Sequence, residues 1–85
     1  LKEIILITAA WCTACHAMEK WFFTVEIPGI TFKAVDIAEE ENANLSSVPA
    51  VLFKENGGII QTAFGEKGKA ELIRIINSIW PEGGK

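Results

Sequence analysis

The groups in this chain best suited to nucleophilic or proton-transfer chemistry near neutral pH stand together in one stretch, Trp11-Cys12-Thr13-Ala14-Cys15-His16. It holds both cysteines and the one histidine of the chain. Two thiols at Cys-x-x-Cys spacing can form a disulfide or grip a soft metal ion, and with a histidine following they also spell a haem-attachment pattern. A bridge between them encloses too little chain to act as a structural staple. The pair therefore reads as reactive.

The elements around the thiols decide among these chemistries. Ile4-Ile5-Leu6-Ile7 is a continuous, largely β-branched apolar run, the pattern of a strand covered on both faces. From Cys12 to Val25 the apolar residues Ala14, Met18, Trp21, Phe22 and Val25 recur at helical spacing. The thiols thus sit where a buried strand gives way to a helix. Counting about 100° per residue puts Cys12 well away from the apolar stripe and Cys15 at its edge, so Cys12 is expected exposed and Cys15 half-buried.

A free helix N-terminus offers unpaired N–H groups and a positive partial charge, both of which favour a thiolate. Cys12 is accordingly expected to have a lowered pKa and to act as the attacking nucleophile, with Cys15 resolving the mixed disulfide. His16 lies four residues after Cys12, and helical side chains lean toward the N-terminus, which would bring its ring toward the Cys12 sulfur as a modulator of its pKa. The plainer reading of His16 is a solvated helix residue. Haem attachment is disfavoured because the sole methionine, Met18, stands about 200° round the same helix from His16 and cannot supply the opposite axial ligand.

Eighty-five residues, 49% hydrophobic and 22% charged, make one domain over 1–85 with a modest core. A net charge of −3 with no basic cluster argues against a nucleic-acid partner. Glu3 interrupts the first apolar run, which is too short for a signal peptide or a membrane span, so a reducing cytoplasmic setting is the expectation.

Further along, Ile27-Pro28-Gly29 breaks the helical pattern and Ile30 to Ile37 alternates as a strand. Glu39 to Leu45 reads as a short helix with acids near its positive end. Ser46-Ser47-Val48-Pro49 is turn chemistry before a second apolar strand, Ala50 to Phe53. Lys54 to Gly58 reads as a hairpin loop leading to a strand over Ile59 to Phe64. After Gly65, the residues Leu72, Ile73, Ile76, Ile79 and Trp80 give one apolar face to a helix from about Lys67, ended by Pro81. Residues 81–85 look like a flexible tail.

The resulting order, β-α-β-α-β-β-α, with Trp11-Cys12-x-x-Cys15 after the first strand, Val48-Pro49 before the third and Gly65 before the last helix, resembles the thioredoxin-like family over nearly the whole chain. The resemblance implies an α/β thioredoxin-like fold, a central four-stranded mixed sheet flanked by helices, with Pro49 cis beside the thiols. It also implies substrate docking by Trp11, Val48 and Pro49, with Gly65 permitting close approach. The implied activity is thiol–disulfide exchange on protein disulfides by a cytoplasmic monomer. It would use no cofactor beyond the Cys12–Cys15 disulfide and be recharged by a thioredoxin-reductase-type donor.

Departures from the family pattern are instructive. Thr13-Ala14 is neither the Gly-Pro common in thioredoxins nor the Pro-Tyr common in glutaredoxins. Leu6 stands where many thioredoxins carry a buried acid that assists proton transfer. Thr8-Ala9-Ala10-Trp11 offers none of the basic residues that glutaredoxins usually present there, which favours a protein partner over glutathione, although the short length is glutaredoxin-like. A glutathione-linked glutaredoxin is thus one alternative. Another is a small metallochaperone binding Cu(I) or Zn through the two thiolates; such chains end on a strand, whereas this one ends on an amphipathic helix. A third is a redox-inactive docking module that keeps the fold.

Overall fold

A computed structural model of the protein describes residues 1–40 and 47–83. The elements are β1 (Lys2–Thr8), α1 (Thr13–Phe22), β2 (Ile30–Asp36), a single 3₁₀ turn over Ile37–Glu39, β3 (Ala50–Glu55), β4 (Gly58–Phe64) and α2 (Lys69–Ile79). The helix expected over Glu39 to Leu45 lies, beyond Glu40, outside the described residues. Glu39 itself closes the 3₁₀ turn, which Asp36 caps by accepting the Ala38 N–H at 2.9 Å.

The strands form a four-stranded mixed sheet in the order β2-β1-β3-β4, with β1 parallel to β2 and the other neighbours antiparallel. The two continuous apolar runs of the sequence are the two inner strands. A strand with neighbours on both edges and packing on both faces has no solvated side to dictate alternation. Ile4, Leu6, Val51 and Phe53 face Met18 and Phe22 of α1 and Leu72 and Ile76 of α2. Ile5, Ile7, Ala50 and Leu52 point the other way, against Val35, Ile37, Val48 and Ile59.

The connections follow from local chemistry. Asn56 and Gly57 both have positive φ, 54° and 88°, which the tight two-residue hairpin between β3 and β4 requires. The hairpin is therefore shorter than the loop expected over Lys54 to Gly58, because Lys54 and Glu55 continue the ladder. A register shift after Phe53 leaves Ile60 without a cross-strand partner, and Ile60 is exposed. Trp80 is buried past the end of α2, edge-on to Phe53 at 6.2 Å, and donates from Nε1 to Glu55 Oε1 at 2.9 Å. Pro81–Gly83 form a turn in which Gly83 N–H donates to the Trp80 carbonyl at 2.9 Å and its own carbonyl accepts from Lys2 Nζ at 3.1 Å.

Phe22, with Met18, fastens α1 to the sheet. It is fully buried and meets the rings of Phe23 at 5.2 Å and Phe32 at 5.6 Å, both edge-on. Phe22→Ala is expected to lower the unfolding free energy by about 3–5 kcal/mol, read from urea denaturation midpoints at unchanged slope.

Candidate active site

The carboxyl end of β1 delivers the chain into a tight turn before α1. Cys12 N–H donates to the Ala9 carbonyl at 3.0 Å, closing the turn through Ala10 and Trp11. Cys12 is then the N-cap of α1, with extended backbone angles of −94° and 102°, and its Sγ accepts the Cys15 N–H at 3.1 Å. A sulfur stands where serine, aspartate or asparagine caps most helices. Cys12 and Cys15 are joined as a disulfide across a Cα–Cα distance of 5.2 Å.

Both sulfurs are more covered than the helical wheel predicts: Cys12 is 6% exposed and Cys15 not at all. The wheel fails for Cys12 because a cap residue is not on the helix, so its side chain folds back toward Ala9 and Val48 instead of radiating outward. Cys15 lies on the same buried stripe as Met18 and Phe22, with its Sγ 3.9 Å from the Ile7 carbonyl. The order of exposure is as expected, the degree is not. Ala9, Ala14 and Ile37 complete the apolar collar around the pair.

Trp11, the residue before Cys12, is 78% exposed. Val48 packs against the disulfide cluster, and the Val48–Pro49 peptide is cis. Gly65 N–H donates to the Pro49 carbonyl at 2.9 Å, so Gly65, with φ of 92°, stands directly beside the proline. The structure thus brings the end of β1, the start of α1, the start of β3 and the end of β4 to one end of the sheet.

The ring of His16 has two hydrogen-bond or charge partners, neither of them the Cys12 sulfur. Its Nε2 pairs with the Ala10 carbonyl at 3.1 Å and its Nδ1 faces Glu19 Oε1 at 3.5 Å. The ring therefore ties the turn carrying Trp11 to the first turns of α1. Sequence reasoning missed this because the Ala10 carbonyl becomes a partner only once the turn is folded. It also passed over Lys67, whose Nζ donates to the Phe64 carbonyl at 2.7 Å beside Gly65.

A disulfide with one sulfur at the rim, an N–H aimed at that sulfur and a cis proline alongside suits thiol–disulfide exchange. The family model for thioredoxin matches residues 2–78. The chain belongs to the thioredoxin family.

Among its relatives, the thioredoxins of Listeria monocytogenes and Listeria innocua are each 29% identical to it, over 81% of this chain and 74% of theirs. In solved structures the fold is similar to that of a mutant thioredoxin from Halobacterium salinarum, with a TM-score of 0.79 and 20% identity. It is similar also to that of Malassezia sympodialis thioredoxin, with a TM-score of 0.77 and 24% identity. Both comparisons cover 91% of this chain and 73% of the other. With its Cys12–Cys15 pair, this thioredoxin-family chain is a dithiol–disulfide oxidoreductase acting on disulfide-containing substrates.

Gly65 is where the site's backbone is least tolerant. The space around it has room for a methyl group, which would lie 3.8 Å from Lys67 Nζ, but its φ of 92° strains any L side chain. Gly65→Ala is expected to cost roughly 1–2 kcal/mol of stability, measured by thermal or urea unfolding of the oxidised protein.

Proposed function

We propose that Cys12 is the attacking nucleophile and Cys15 the resolving thiol in thioredoxin-type reduction of protein disulfides. The observation that carries the assignment is the Cys15 N–H directed at Cys12 Sγ at 3.1 Å on a helix N-terminus. When the disulfide is reduced, that sulfur is the one with a hydrogen-bond donor and a positive partial charge already in place, and both favour the thiolate. Its slight exposure beside Trp11, against the complete burial of Cys15, supports the same division of labour.

The exchange balances in two displacements. The Cys12 thiolate attacks one sulfur of the substrate disulfide, forming a mixed disulfide and releasing the other substrate sulfur as a thiolate that takes up a proton. Cys15 then loses its proton and attacks Cys12 Sγ, which releases the second substrate sulfur. The substrate has gained two electrons and two protons, and the Cys12–Cys15 disulfide has formed. A reductase-type donor returns two electrons to close the cycle.

No buried charged or polar residue is present among the described residues, and Leu6 fills the position where an acid would assist Cys15. Water admitted when the mixed disulfide forms is the remaining proton acceptor in this scheme, since both nitrogens of His16 are directed at Ala10 and Glu19. His16 acts here through the turn it restrains, not by contact with sulfur.

Trp11, Val48, Pro49 and Gly65 form the docking groove, with an extended substrate segment lying along Val48 and passing Gly65. Their convergence on the disulfide supports this role. The reading includes operation as a monomer, which leaves the groove open, and a cytoplasmic location, where the reducing poise keeps the pair charged. It needs no resident cofactor. A metal-carrying role is less well supported, because the described fold closes on α2 instead of a strand and sets a cis proline beside the thiols. No helix among the described residues is long and apolar enough to cross a membrane.

In an insulin-reduction assay driven by dithiothreitol, Cys12→Ser is expected to remove turnover. Cys15→Ser is expected to accumulate a covalent adduct with substrate, visible by mass spectrometry under non-reducing conditions. Wild-type rates from the Cys12→Ser protein would contradict the mechanism.

A further inference from the structure

The loop between β4 and α2 carries Glu66 and Lys67, with Lys69 opening the helix, and their charged ends are placed differently. Lys69 Nζ is drawn off to Thr24 Oγ1 at 2.9 Å. Glu66 is exposed to solvent. Lys67 is half-buried, and its ammonium lies on the side of Gly65 to which a side chain would point, held there by the Phe64 carbonyl at 2.7 Å. Gly65 is in turn bonded to the Pro49 carbonyl, and Val48 touches the disulfide cluster. The ion pairs among the described residues are His16–Glu19, Lys33–Glu3 and Lys54–Glu40, so the Lys67 charge is balanced by no carboxylate there.

We infer that Lys67 is a specificity-determining residue that selects protein disulfides flanked by an acidic side chain. The inference deepens the thioredoxin-type reading and rests on it. One N–H of the ammonium is spent on the Phe64 carbonyl, which fixes its place, and two remain to meet a carboxylate. The Lys67 side chain is itself half-buried beside Gly65. A charge in such a place interacts more strongly than one in open water. A substrate segment running along Val48 passes Gly65, whose missing side chain leaves the ammonium accessible to it. Glu66 is the counter-charge on the same loop, but its position in solvent leaves Lys67 as the charge placed against the groove.

The test uses two disulfide-linked peptides identical except for Glu or Gln beside the cystine, reduced by the full chain in low-salt buffer with dithiothreitol as the electron donor. The expected ratio of kcat/KM, Glu over Gln, is roughly three-fold, the size of a partly exposed ion pair, carried mainly in KM. It should shrink toward one at high ionic strength, fall to about one in Lys67→Met and persist in Lys67→Arg. A ratio of one or less in the wild type, or the same ratio in Lys67→Met, overturns the inference while leaving the oxidoreductase reading standing. Failure of the wild type to reduce either peptide overturns both. Glutathione disulfide serves as a third substrate: if it outruns the Glu peptide and loses that lead in Lys67→Met, the cation reads glutathione's carboxylates and the assignment to protein segments is wrong.

Discussion

The hydrogen bond from Cys15 N–H to Cys12 Sγ is where local structure and chemistry meet. Every helix begins with N–H groups that lack intrahelical partners, and something must accept them. Here the acceptor is the sulfur proposed as the nucleophile. The same contact that fixes where α1 starts therefore fixes the position of the sulfur and supplies it with a donor. Moving the helix start by one residue would remove both. The preceding turn, closed by Cys12 N–H on the Ala9 carbonyl and held from the other side by His16 on the Ala10 carbonyl, keeps that start in place.

The remainder of the fold makes this junction rigid and surrounds it with the proposed docking surface. β1 is an inner strand, paired over most of its length on both edges, so its carboxyl end cannot shift without breaking two ladders. β3, paired to it antiparallel, brings the cis Val48–Pro49 peptide to the same end of the sheet, and β4 brings Gly65 alongside Pro49. Val48 and Ile37 then close over the sulfurs from the second face of the sheet. The face so formed presents one slightly exposed sulfur, an exposed indole and a line of backbone, with Cys15 fully buried beneath.

Much of this was legible in the sequence, for physical reasons. Ile4 to Ile7 and Ala50 to Phe53 could be read as inner strands because burial on both faces removes alternation, and Met18 and Phe22 marked the helix face because a surface helix must hide one stripe. What escaped depends on contacts distant in the chain or on geometry at element ends. The burial of Cys12 follows from its being a cap, which a helical wheel treats as an ordinary turn. The partners of His16, Trp80 and Lys67 are two backbone carbonyls and the carboxylates of Glu19 and Glu55, none of which announces itself by residue type. The register shift after Phe53 has no marker in the apolar pattern, since Ile59 and Ile60 look alike until pairing decides which one faces inward.

The central claim is that the helix start holds Cys12 ready as a thiolate. Its most direct test is the pH dependence of Cys12 alkylation by iodoacetamide in the fully reduced protein, followed by mass spectrometry of the modified peptide. The account predicts an inflection clearly below the value of about 8.5 of an ordinary thiol, with Cys15 reacting far more slowly at every pH. An inflection at or above the ordinary value, or equal reactivity of the two cysteines, would contradict it.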